Sequence, residues 1–300
     1  GDEGEVFSAL IRGVTPDVRA QTENDVITLT TSQGVQLAEA ALDTSPPRGT
    51  VGTLATQPVY GAATALVPVG TTTQNEYSSP TFADIDNDGD LDLLVGLNRD
   101  PRLPYGTRPY LYFKNTAAAG AFPAIFVPSD DIQVSVFGSY IKPTFADIDG
   151  DGDLDLFTGL NDGSIDFYRN TAGAQSANPS FSAPTRNPFG IARRTGTAAP
   201  ILIDTDRDGD LDLFVGDYDG NVYFQRNTGS VVLPAFASPV INAFGSIDVG
   251  AAAAPALRDL DNDGDLDLLI GNLSGDSYYF QNISSQSAAD PVFSGTPKSN

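Results

Sequence analysis

An all-β fold made of four repeated four-stranded units is what this sequence predicts, on three observations. The same acidic nonapeptide, D-x-D-x-D-G-D-L-D, occurs at Asp84–Asp92, Asp147–Asp155, Asp204–Asp212 and Asp259–Asp267. The first aspartates of successive copies are 63, 57 and 55 residues apart, and the flanking residues repeat with them. No segment shows helical periodicity, whereas Gly, Asn and Asp punctuate short apolar or alternating runs.

Each unit resolves into four strands. The first is Pro-Thr-Phe-Ala-Asp or its equivalent, opened by Pro80, Pro143, Pro200 and Pro255, since proline at a strand start owes no ladder hydrogen bond. The second follows the acidic loop as an alternating, β-branched run closed by Gly96, Gly159, Gly216 and Gly271. The third is an aromatic run ending at Asn115, Asn170, Asn227 and Asn282. The gap from the first Asp to this Asn is 23 residues in units two to four and 31 in unit one, which therefore carries an eight-residue insertion. The fourth is read from a Pro-x-Phe/Tyr element at Pro58, Pro179, Pro234 and Pro291, with Pro123-Ala-Ile-Phe126 a looser copy. Four such strands joined by tight turns describe one blade of a β-propeller. Five copies of the last element for four acidic loops make Pro58 and Pro291 redundant, and pairing of strands from the two termini is the expected closure. The propeller repeats are assigned to residues 58–300. Residues 1–57 lack the motif and read as a β-rich arm, with a hairpin from Val26-Ile-Thr-Leu-Thr-Thr and Val35-Gln-Leu and a linker at Thr44–Thr50.

Five carboxylates in nine residues repel one another unless a cation sits among them, and an all-oxygen donor set points to Ca2+. Asp at positions 1, 3 and 5 faces inward when the backbone curls, glycine at position 6 permits the turn, position 7 offers its backbone carbonyl, and Asp at position 9 closes the shell. The side-chain ligands are then Asp84, Asp86, Asp88 and Asp92; Asp147, Asp149, Asp151 and Asp155; Asp204, Asp206, Asp208 and Asp212; and Asp259, Asp261, Asp263 and Asp267. Asp90, Asp153, Asp210 and Asp265 contribute main-chain oxygen. These are not EF-hands: position 12, acidic there, is Val95, Thr158, Val215 or Ile270 here.

Phe244-Gly245, Gly250-Ala-Ala-Ala-Ala-Pro255 and Asp259–Asp267 together resemble the FG-GAP/VCBS repeat family, the blades of integrin-α-type propellers and of many secreted bacterial proteins. The resemblance spans about residues 58–293 and implies one Ca2+ per acidic loop, about four in all. Family rings usually have about seven blades. Four leave open a small closed ring, an arc completed by another chain, or part of a longer protein.

Composition narrows function. A formal charge of −23 argues against nucleic acid or an anionic membrane as partner; four Ca2+ would bring it to −15. Without Cys or His there is no disulfide, no Cys/His zinc site and no His-based triad. A chain starting at Gly1, with no apolar run near about 18 residues, reads as a mature or trimmed segment without a membrane span. The expectation is a non-catalytic, extracellular (secreted or cell-surface) calcium propeller for adhesion, surface structure or glycan/protein recognition. One alternative is a polysaccharide lyase or hydrolase, for which no pair of catalytic acids shows outside the loops and only Lys114, Lys142 and Lys298 supply lysine. Another is a surface-layer or filament subunit that self-assembles through the N-terminal arm or an open blade edge. The unit-one insertion carries Arg99, Arg102, Tyr105 and Arg108, read as a solvated loop rather than a glycan-recognition loop, and Arg193-Arg194 is read with the same caution. Asn272-Leu-Ser274 and Asn282-Ile-Ser284 match the glycosylation pattern, a short motif that chance supplies easily.

Overall fold

The computed structural model describes residues 18–23, 26–31 and 36–41, and residues 78–299 apart from 98–108, 118–123, 135–137, 174–175, 246–247, 285–289 and 295–297. The chain divides into two compact units, residues 1–68 and 69–300. In the first, β1 (Val18–Glu23), β2 (Val26–Thr31) and β3 (Gln36–Ala41) form one antiparallel sheet in sequence order. The expected hairpin is β2–β3, with Val26 opposite Ala41 and a register shift between Leu29 and Thr30. Strand β1 is an addition that the sequence did not single out.

The second unit is a four-bladed β-propeller, each blade a four-stranded antiparallel sheet. Blade 1 holds β4 (Ser78–Ala83), β5 (Asp92–Leu97), β6 (Tyr110–Asn115) and β7 (Phe126–Ser129). Blade 2 holds β8 (Lys142–Ala146), β9 (Asp155–Gly159), β10 (Ile165–Tyr168) and β11 (Thr185–Arg186). Blade 3 holds β12 (Ala199–Ile203), β13 (Asp212–Gly216), β14 (Val222–Gln225) and β15 (Val240–Ile241). Blade 4 holds β16 (Ala254–Arg258), β17 (Asp267–Gly271), β18 (Ser277–Phe280) and β19 (Lys298–Ser299). Strand order within every sheet follows the chain, so each blade is one stretch of sequence. First strands pack in succession, β4 on β8, β8 on β12 and β12 on β16. A cavity of about 620 Å3, lined by all four blades through residues such as Ser79, Lys142, Thr197 and Ala254, lies between them.

Second strands carry the core. Every residue of β9 and of β13 is buried, the opening aspartates included. Blades meet where the glycine ending a second strand faces the segment before the next blade's proline. A Cβ on Gly96, Gly159 or Gly216 would lie 2.1–2.2 Å from the carbonyl oxygen of Ile141, Ala198 or Ala253, so only glycine fits there. The Phe-Gly turns add a second tie. Phe189 and Phe244 hold left-handed backbone (φ 58° and 59°). Their carbonyls accept the N–H groups of Phe236 and Phe293 in the next blade at 2.7 and 2.9 Å. Their rings pack on Phe167 and Phe224 of their own blade, centroids 5.1 and 4.7 Å apart.

One expectation needs correction. In blades 2 to 4 the Pro-x-Phe element is not the fourth strand: Phe181, Phe236 and Phe293 each make one isolated bridge, to Asn170, Asn227 and Asn282. The strands proper, β11, β15 and β19, come a few residues later. Proline has no N–H, and the next N–H (Ser180, Ala235, Val292) goes to the asparagine side chain, so these residues add no ladder bond ahead of the bridge. The expected pairing of strands from the two termini falls in part outside the described residues. The Pro291 element and β19 complete blade 4 from its own sequence, while Pro58 and the linker at 44–50 lie outside the described residues.

Candidate metal centres

The acidic loops connect the first and second strands of each blade, and their backbone alone shapes a cradle. Positions 4 and 6 are left-handed in every copy, with φ 56° at Asn87 and 93° at Gly89 in the first. The position-6 N–H donates to Oδ2 of position 1 at 3.0–3.1 Å in all four loops. The position-7 N–H donates to Oδ1 of position 5 at 2.9–3.0 Å. These bonds draw three carboxylates together. Asp84/Asp86/Asp88, Asp147/Asp149/Asp151, Asp204/Asp206/Asp208 and Asp259/Asp261/Asp263 each bring three ligand oxygens within 4.8 Å of one another. Calcium–oxygen distances of about 2.4 Å place ligands on opposite sides of an ion roughly 4.8 Å apart, so each triad is of a size to share one.

Position 9 is placed differently. Asp92, Asp155, Asp212 and Asp267 are at most 1% exposed and lie outside these triads. Their Oδ1 atoms accept the backbone N–H of the asparagine ending each aromatic run (Asn115, Asn170, Asn227, Asn282) at 2.7–2.8 Å. That asparagine's Oδ1 then accepts the N–H of Ile125, Ser180, Ala235 or Val292. The closing carboxylate thereby ties loop, third strand and fourth-strand segment together. Its second oxygen takes a hydroxyl in three blades: Tyr112 at 2.8 Å, Thr205, and Tyr279 at 3.1 Å.

Blade 2 supplies the test of fit. Phe167 and Ile148 stand where the hydroxyls would come from, and Asp155 Oδ2 is buried with no hydrogen-bond partner. Burial, reinforced by the Asp151 and Asp147 charges, raises the Asp155 pKa to about 7. A buried carboxylate oxygen without a donor, repelled by the triad beside it, is what a cation in that loop would satisfy. The donor set fits Ca2+, which would be held by the three triad carboxylates with Asp155 beside them.

The alignment also contained a residue type whose role went unread. The residue before each asparagine reaches the position-3 carboxylate: Lys114 to Asp86, Arg169 to Asp149, Arg226 to Asp206 and Gln281 to Asp261. Three loops therefore carry a tethered cation and the fourth a neutral amide. Its signal was the recurring Lys-Asn, Arg-Asn, Arg-Asn and Gln-Asn ending of the aromatic runs. Position-7 carboxylates are also buried, between 1% and 8% exposed. Asp265 among them receives Arg207 from the third loop at 2.8 Å, which links neighbouring loops.

With this geometry repeating at the family spacing, a model of the FG-GAP-like repeat matches residues 147–215 and 204–270. Residues 147–270 are FG-GAP-like repeats. They take in blade 2 apart from its first strand, the whole of blade 3, and the first two strands of blade 4 apart from Gly271. No curated protein matches the sequence. Among solved structures, an Agrocybe aegerita lectin, studied for recognition of non-reducing terminal N-acetylglucosamine, is similar at 18% identity and a TM-score of 0.42. That match covers 93% of this chain and 65% of the lectin chain, and at this level of likeness nothing about ligands transfers.

Other sequence candidates resolve simply. Arg194 is 8% exposed; it lies over the Tyr223 ring at 4.3 Å and donates to Gln225 at 3.0 Å, a packing role. Arg193 donates to the Asp162 carbonyl. Asn282 is 6% exposed and its Nδ2 donates to the Leu266 carbonyl, so it offers no accessible amide for glycosylation in the FG-GAP-like fold. Asn272 Nδ2 is likewise held by the Val249 carbonyl at 2.8 Å. Arg99, Arg102, Tyr105 and Arg108 lie outside the described residues.

Proposed function

We propose that this protein is a calcium-stabilised, non-catalytic propeller acting outside cells in adhesion, surface structure or glycan/protein recognition. The observation that carries the reading is the fourfold recurrence of carboxylate triads of calcium size, together with the donorless buried oxygen of Asp155 in the second loop. Millimolar extracellular Ca2+ would fill sites with affinities of about 10⁻⁴–10⁻³ M. Loop 4 has Gln281 where the others have Lys or Arg, so no cation is tethered to its position-3 carboxylate, and its triad is the tightest site on this reading. The non-catalytic reading is supported by a carboxylate outside the loops that is already engaged, Asp166 with Arg186.

Calorimetric titration of chelator-treated protein should show about four Ca2+ per chain, and thermal melting in EDTA should fall by tens of degrees relative to calcium-saturated protein. Unchanged melting in EDTA would sink the reading. A surface-layer or filament subunit is the second reading. It is favoured by the outer side of blade 4, where Gly271 meets nothing within 4 Å among the described residues. Concentration-dependent mass in solution distinguishes the two.

A further inference from the structure

The central cavity is lined by equivalent positions from successive blades. The residues just before the strand-opening prolines are Ser79, Lys142, Ala199 and Ala254. Three are small, and the fourth is one of only three lysines in the chain. Ser79, Lys142 and Ala254 all line the cavity, whose 620 Å3 falls in the size class of small-molecule sites, roughly 300–1,000 Å3. Tyr140, Tyr218 and Leu273, 38%, 51% and 51% exposed, line it as well. In a protein of charge −23, no carboxylate lines this cavity among the described residues.

Two of these lysines, Lys114 and Lys142, are opposites. Lys114 is held by Asp86, which raises its pKa. Lys142 is half-buried, and desolvation with no neighbouring carboxylate to offset it lowers its pKa. A desolvated amine with no partner among the described residues is costly unless an anion joins it.

We propose that this axial cavity binds a small organic acid, its single carboxylate paired with Lys142 and its apolar or aromatic body set against Tyr140, Tyr218 and Leu273. One cation matches one negative charge. A phosphate or dicarboxylate would bring a second charge into a cavity with nothing to pair it, against the repulsion of an acidic surface. A neutral ligand would leave the amine uncompensated. The site needs no metal and stands apart from the calcium loops.

The test is calorimetric titration of the full calcium-loaded chain with 4-phenylbutyrate and with its neutral amide. The acid should bind about tenfold or more tightly than the amide, the strength of one charge-assisted hydrogen bond. Lys142→Met should abolish that difference, Lys142→Arg should keep most of it, and Tyr218→Ala should weaken both probes alike. Equal affinity for acid and amide on the wild-type chain overturns the proposal without recourse to any variant. So does the absence of binding by either probe at millimolar concentration, or full acid binding by Lys142→Met.

Discussion

At the junction of blades 3 and 4, a Cβ on Gly216 would sit 2.2 Å from the Ala253 carbonyl oxygen, and two positions earlier Phe214 is 1% exposed. On blade 4 the matching glycine, Gly271, meets nothing within 4 Å among the described residues, and the counterpart of Phe214, Leu269, is 38% exposed. Blade 4 is nonetheless complete within itself: β16–β19 pair in order, Asn282 bonds Asp267 at 2.8 Å, and Phe293 bridges Asn282. Two levels of stabilisation separate here. A blade is held by its carboxylate–asparagine frame, and neighbouring blades are held by glycine-to-carbonyl approach and a buried face. The first level is present where the second is missing.

That separation can be broken or sharpened by substitution, read out by urea denaturation of calcium-loaded protein. Gly216→Val should have the largest effect, a loss of about 4 kcal/mol or more, because the new side chain meets backbone that cannot move aside. Phe214→Ala should cost about 3–5 kcal/mol, and Leu269→Ala about 1 or less, since one side chain is enclosed and the other half open. Equal losses would mean that blade 4 is covered in solution after all. Asn282→Ala and Asn227→Ala should each cost about 2 kcal/mol, and alike, because the side-chain bonds they lose, from the Val292 and Ala235 N–H groups to the asparagine Oδ1, lie within a blade. A much smaller loss at Asn282 would show that the internal frame depends on the neighbour. Gly271→Ala should fall within about 0.5 kcal/mol of wild type, the smallest change of the set.

The blades themselves were legible because a fixed spacing of acidic loop, glycine and asparagine can only be met by repeating one sheet. Position 9 shows where that legibility stops. Spacing puts a carboxylate at the start of each second strand, but not the N–H it accepts, which comes from a residue 15 positions on in blades 2 to 4. The Pro-x-Phe element looked like a strand on composition, yet in blades 2 to 4 only its Phe pairs, as an isolated bridge to the asparagine. Gly271 and Gly216 read alike in sequence, and only the tertiary neighbour distinguishes them. Lys142 looked like one lysine of three until the fold set it among short side chains on the wall of the axial cavity.

Each sheet is a single uninterrupted stretch of chain, with no strand lent between blades. Tandem duplication or loss of a segment some 55 residues long would therefore leave every ladder whole. The number of blades is a quantity that recombination can change one step at a time, without any intermediate that must fold around a severed sheet.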